Sequence, residues 1–317
     1  MSENICERCI EYTRQNRELD LIQFALDNQV DLGDKLAEVE TYSLYFAPAG
    51  TYPPDPVVTV CGLATSFTAL QDMKKTLEEQ GDMRTACLQS VYKGGMAVNL
   101  ALLLNALGVD KLIDEKVLIT INDRIKNERT KSLAEMSLDD FGKSGFFASI
   151  PEQIQFTQAL CCWDENRKSQ FKPAWMKYSE ACRTTGYFSN LARRFIRSDR
   201  SRLMLLLGNA QTENMKIIRK AVNESGAKDV VVIDNKDFEK FAGTKSKGKK
   251  FVVNVHHPAN AKHVYNNKKN YSSILYSYYE RGGWDFPVES YGRTGLVAME
   301  KTRAFYRYLR QAVAGMS

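Results

Sequence analysis

"VVTVCGLATS", residues 57–66, runs five apolar or β-branched residues straight into Gly62 and a turn of small residues. The run has no polar alternation, so it reads as a strand buried on both faces that ends in a tight turn. Strands covered on both faces belong to parallel sheets, which need helical crossovers between them. The same pattern returns in "RLMLLLGNA" (202–210), "DVVVI" (229–233) and "FVVNV" (251–255), and "EQIQFTQALCCW" (152–163) alternates like one further strand.

Helical patterns fall between these strands. "GGMAVNLALLLNALGV" (94–109) opens on a Gly pair, residues 172–198 break at Gly186, and "TENMKIIRKAVNES" (212–225) stops at Gly226. The segment 289–313 ends in an amphipathic helix, and residues 10–43 read as helical before the Pro-rich break at 49–56. Alternating strands and helices predict an α/β fold: three layers, α/β/α, around a central, mostly parallel sheet of four to five strands. The expected organisation is one domain over 1–317, with an N-terminal helical segment at 10–48 and an insertion at 110–150. Ligands of such sheets sit beyond the carboxyl ends of the strands. Three tight turns fall there: Gly62–Ser66, Gly208–Ala210 and His256–Asn260.

Composition narrows the class. The 44% hydrophobic and 26% charged content is that of an ordinary globular chain. No run of about 18 apolar residues suggests a membrane span, and "MSENICERCIEYTRQ" lacks a signal-peptide pattern, so a cytoplasmic location is expected. The net charge of +6 gathers at 124–131, 244–250 and 262–271, where Lys and Arg mix with Asn and Tyr. That mixture suits a phosphate backbone, although three solvated loops would look the same. The seven cysteines are odd in number and argue against a disulfide framework. Cys6 and Cys9 form a C-x-x-C whose thiolates can face one metal. The chain has neither a G-x-G-x-x-G nor a P-loop lysine, which weakens a nucleotide-binding reading of "GLATS".

All three histidines, His256, His257 and His263, lie in "HHPANAKH" at the exit of a strand. No carboxylate sits inside that window, which weakens a zinc site built from the three imidazoles.

Together these fragments resemble the uracil-DNA glycosylase superfamily, most closely its iron–sulfur branches, in order along most of the chain. "CERC" (6–9) looks like the N-terminal cysteine pair, and "VVTVCGLATS" like the first strand and water-activating loop. "YKGGMAVNLALLLNALG" (92–108) is similar to the Gly-rich stretch and helix that follow. "FTQALCCWDENR" (156–167) resembles the second strand with its third cysteine, and "SEACRTTGYF" (179–188) the helix with the fourth. "LMLLLGNA" resembles the L-G-x-x-A turn and "NVHHPAN" the H-P-S motif.

The resemblance implies an enzyme that hydrolyses the N-glycosidic bond of a damaged or modified pyrimidine in DNA. It implies a [4Fe-4S] cluster on Cys6, Cys9, Cys162 and Cys182, with Cys161 able to replace Cys162. His257 would donate a hydrogen bond to the departing base, while Gln158, Gly62, Leu63, Ala64, Phe67 and Asn260 would hold it. Asn122 and Asn190 are rival readers of the base. Lys262, His263, Tyr265, Lys268 and Lys269 would contact DNA, with Val264 or Tyr265 as a wedge into the duplex. The first loop lacks the family's acid or amide, leaving Asp72, Thr65, Ser66 or backbone carbonyls to orient water. Thr65 and Ala259 stand where the family has Pro and Ser, which widens the pocket. Two substrate classes stay open: uracil or another deaminated base, and a bulky hypermodified cytosine of phage DNA. A binder without catalysis, a monomer by expectation like the enzyme, is the alternative.

Overall fold

The computed structural model describes residues 5–14, 20–39, 42–48, 50, 53, 55–91, 153–164, 182–184, 186–208, 211–234, 248–255 and 309–310. The chain divides into two compact units, one made of 1–91, 152–206 and 210–232, the other of 92–151, 207–209 and 233–317. Nearly all described residues belong to the first.

The main sheet is mostly parallel and has five strands. Their order is β4 (Ile154–Leu160), β3 (Val58–Ala64), β6 (Leu203–Leu207), β8 (Lys250–Val255) and β7 (Val230–Ile233). β3 pairs in parallel with both neighbours, from Val58↔Ile154 to Ala64↔Leu160 on one side and from Val58↔Leu203 to Cys61↔Leu206 on the other. Every residue of β4, β6 and β8 is buried, and β3 opens only at Leu63 and Ala64. The apolar runs are therefore strands covered on both faces, as their lack of alternation predicts. An α/β fold with a mostly parallel sheet follows, as the sequence implied.

The order also locates a crevice. From β3 the chain crosses to β4 on one side and later returns to β6 on the other. The reversal puts a topological switch point at the carboxyl end of β3, where open α/β sheets receive ligands.

Helices frame these strands. α3 (Phe67–Gln80) starts on Ser66, whose hydroxyl accepts from the Ala69 amide at 3.1 Å, and buries Leu70, Met73 and Thr76. α4 (Met83–Val91) packs against it, capped by Asp82, whose carboxylate accepts from the Arg84 and Thr85 amides. α5 (Tyr187–Arg197) begins at Gly186, where the sequence places its break, and packs on β4. There the Tyr187 hydroxyl and Thr157 Oγ1 are 2.8 Å apart. α6 (Thr212–Ser225) keeps the predicted bounds and ends on Gly226, whose φ of +66° only glycine adopts without strain.

The N-terminal region departs from the helical expectation over 10–43. Among the described residues there, helix is confined to α1 (Ile5–Arg14) and α2 (Leu21–Asp27). Asp20 caps α2 by accepting from the Ile22 and Gln23 amides at 3.0 Å, and it binds Arg84 at 2.6 Å. The following residues form a hairpin, β1 (Lys35–Val39) and β2 (Tyr42–Phe46), which pairs antiparallel with β5 (Cys162–Asp164). β-Branched and aromatic residues suit a pleated surface, and β5 supplies a partner that local pattern cannot reveal. Residues 152–163 are also not one strand. The chain switches sheets at Cys161, whose carbonyl accepts from the Ala47 amide at 3.0 Å. The readings at 94–109, 110–150 and most of 289–313 lie outside the described residues.

Candidate functional site

The carboxyl end of β3 carries the first loop, and the register sets what faces it. Gly62 lies beside Gln158 of β4. A Cβ on Gly62 would fall 2.1 Å from Gln158 Oε1, 2.8 Å from its Cδ and 2.9 Å from its Nε2. The Gln158 carboxamide thus lies across the space that glycine leaves open. Gln158 is 6% exposed, and its Oε1 is buried with no hydrogen-bond partner. Leaving a buried carbonyl unmet costs about 1–3 kcal/mol, so this oxygen is an acceptor open to a donor, one of six buried polar side-chain atoms without a partner among the described residues.

Beyond Gly62, Leu63 and Ala64 are half-buried. Thr65 is buried and donates to the Ala47 carbonyl at 2.7 Å, so its proton is committed to the fold. Ser66 uses its oxygen to cap α3 and keeps its own proton for another acceptor. Phe67 is 48% exposed, and its ring stacks on Trp163, with centroids 4.7 Å apart and planes at 30°. Asp72 is half-buried more than a turn into α3, where its carbonyl accepts from Thr76 Oγ1.

Gln211, which the sequence reading missed, approaches the same strand from the β6 side. It is fully buried, and its Nε2 donates to the Cys61 carbonyl at 3.3 Å. Its own carbonyl accepts from Asn214 Nδ2, and Asn214 Oδ1 is left without a partner. Gln211 and Gln158 therefore flank the last residues of β3, one tying the strand down and the other holding a free acceptor. "GNAQTEN" signals only a strand-to-helix turn, so register alone could have found Gln211. Asn190 lies buried in the first turn of α5, and its Nδ2 is likewise buried with no hydrogen-bond partner.

The thiols also draw together. Burial pushes the Cys161 thiol well above its ordinary pKa, and charge at Cys182, Cys9, Cys162 and Cys61 pushes it the same way, in that order. Cys161 Sγ is 4.0 Å from the Gln158 carbonyl and Cys182 Sγ 4.0 Å from that of Ala159. Cys161 thus lies near enough to Cys182, Cys9, Cys162 and Cys61 to feel their charge. Among the described residues, no three Cys, His, Asp or Glu side chains are arranged to hold a metal ion. Cys6 lies in α1, with its side chain outside the described set.

β8 ends at Val255, whose carbonyl accepts from the Gly208 amide at 2.7 Å. The strand exit is thus where the histidine window implies it. His257, Asn260, Lys262, His263, Tyr265, Lys268 and Lys269 lie outside the described residues, as does Asn122. No helix among the described residues is long and apolar enough to cross a membrane.

Comparison with protein-family models, curated proteins and solved structures finds no match to this chain.

Proposed function

We propose that the chain is a monofunctional DNA glycosylase that reads a flipped pyrimidine with Gln158 and releases it as the free base. The observation that carries this reading is the Gln158 carboxamide over Gly62, with a buried oxygen that has no donor. A pyrimidine's pairing edge offers N–H groups that match such an oxygen, and an amide fixed by its neighbours reads that edge without reorganising.

The target nucleotide leaves the stack, at a cost of a few kcal/mol, and enters the crevice at the end of β3. His257 donates to the base carbonyl as negative charge builds on the leaving group, and water attacks the sugar. Thr65 is a poor choice for holding that water because its proton is already given to Ala47. Ser66 retains a proton but is an acceptor in use, so backbone carbonyls of the loop or Asp72 take the larger share. On the resemblance, Ala259 in place of the family's Ser would leave room at the base's 5-position. That favours a bulky hypermodified cytosine of phage DNA beside uracil as substrate, and a role in antiphage defence.

The nearness of Cys161 to Cys182, Cys9 and Cys162 supports a [4Fe-4S] cluster on Cys6, Cys9, Cys182 and one of the adjacent pair. When bound, the cluster pins the N-terminal segment to the domain.

Incubation with uracil-containing and phage-modified DNA, followed by alkali, tests the activity: strand breaks at the modified positions support it. Retained binding without breaks on any base favours a non-catalytic binder. The engaged hydroxyl of Thr65 and the lack of a loop carboxylate lend weight to that second reading.

A further inference from the structure

We infer that Phe67, backed by Trp163, does not hold the extruded base, as the resemblance implies, but is a stacking platform for the unpaired base next to it, which makes single-stranded DNA a ligand of this chain. The inference rests on the proposed reading that DNA is the partner.

Gly62 and Gln158 are register partners, and Ala64 and Leu160 pair two residues further on. Phe67 and Trp163 each follow by five residues, one from Gly62 and one from Gln158, and their rings stack 4.7 Å apart. Phe67 opens α3 three residues after β3 ends, and Trp163 lies in β5 three residues after β4 ends, so their stacking puts the pair just beyond the carboxyl ends of both strands.

Trp163 is held by a second ring. It lies directly opposite Tyr45 in the β2–β5 ladder, and their ring centroids are 5.5 Å apart. Phe67 is thus an exposed aromatic held by a ring that the backbone itself positions. Among the described residues, Leu26 is the other large hydrophobic residue left exposed, and it offers no flat face. A ring already ordered loses little further freedom when a ligand stacks on it.

The occupant follows from shape and charge. A flat π surface on a chain of net charge +6 suits a polyanion that carries aromatic groups. Paired bases hide their faces in the stack, so the group that lands on Phe67 is an unpaired base. Depth separates the two positions: Gln158 is 6% exposed and Phe67 48%. The inner position takes the base that is read, and the outer one takes its neighbour.

Fluorescence anisotropy with short unmodified oligothymidylate, and with an abasic oligomer of equal length, tests this. Wild type and Phe67→Tyr should bind oligothymidylate alike, and Phe67→Ala about 5- to 150-fold more weakly, the worth of one base–aromatic stack. All three should bind the abasic oligomer equally. A Phe67→Ala affinity equal to wild type would overturn the inference, as would a wild type that binds both oligomers equally. Thermal melting of Phe67→Ala and Phe67→Leu shows whether the fold is intact. Neither oligomer contains a cleavable base. Stacking without base release elsewhere would therefore sink the glycosylase and leave the platform standing, while failure to bind either oligomer would remove DNA as the partner.

Discussion

Gly62→Ala is the most informative single change. The new methyl group would fall 2.1 Å from Gln158 Oε1, so the amide head has to retreat by about 1 Å to reach ordinary contact. Gly62 is not in the left-handed region, so alanine fits its backbone and stabilises by about 0.4–1 kcal/mol through the unfolded chain. The clash costs about 1–3 kcal/mol, and a net loss of about 1–2 kcal/mol is expected. With Gln158→Ala the obstacle disappears, and Gly62→Ala becomes neutral or stabilising. The double-mutant cycle should therefore show a coupling of about 1–3 kcal/mol. Chemical denaturation of the four proteins measures it. Base release by Gly62→Ala should fall on the order of a hundredfold, since a displacement of about 1 Å in a positioning group has that effect. Additive stabilities and unchanged release would refute the placement of Gln158 over Gly62.

Gln158→Met removes the unmet oxygen while keeping the volume, so stability should rise by about 1 kcal/mol while base release drops at least about tenfold; a loss of stability would mean the oxygen has a partner. Thr65→Val leaves the Ala47 carbonyl unmet and should cost about 1–3 kcal/mol in a denaturant titration, with base release retained; abolished release in a folded protein would return Thr65 to the chemistry. Hydrogen bonds from the Thr85 hydroxyl, then from its amide, hold the Asp82 carboxyl below its usual pKa. A lowered carboxyl pKa contributes stability above the unfolded value, lost as pH falls through the folded one. Asp82→Ala should thus cost about 1 kcal/mol at neutral pH, and the cost should fade below about pH 4; a pH-independent cost would contradict the cap. Protein purified without oxygen should be brown, absorbing near roughly 400 nm, and Cys182→Ser should remove the colour. Comparison of Cys161→Ser with Cys162→Ser then identifies the third ligand, and a colourless, folded wild type would exclude the cluster.

Most strands of the main sheet were legible as apolar runs, as with Leu203–Leu207 and Val58–Cys61, and β4, with Gln155, Thr157 and Gln158, from its alternation. Helix α6 was legible because Gly226 ends it. The hairpin β1–β2 was not, since Leu36 among charges looks like one face of a helix and its strand partner lies far along the chain at Cys162–Asp164. In the site, Gly62, Gln158 and Phe67 were named from motif position, yet their contact depends on the β3–β4 register, which no local pattern encodes. Gln211 stayed hidden for the same reason: its role is to reach the Cys61 carbonyl across the sheet.

The most direct measurement is mass spectrometry of the small molecules freed from single-stranded and duplex DNA carrying uracil or hypermodified cytosine. Wild-type protein should liberate an intact base and leave an abasic site, and Gln158→Met should release it at least about tenfold more slowly. No free base from any substrate, or equal release by wild type and Gln158→Met, would contradict a glycosylase that reads its base through Gln158.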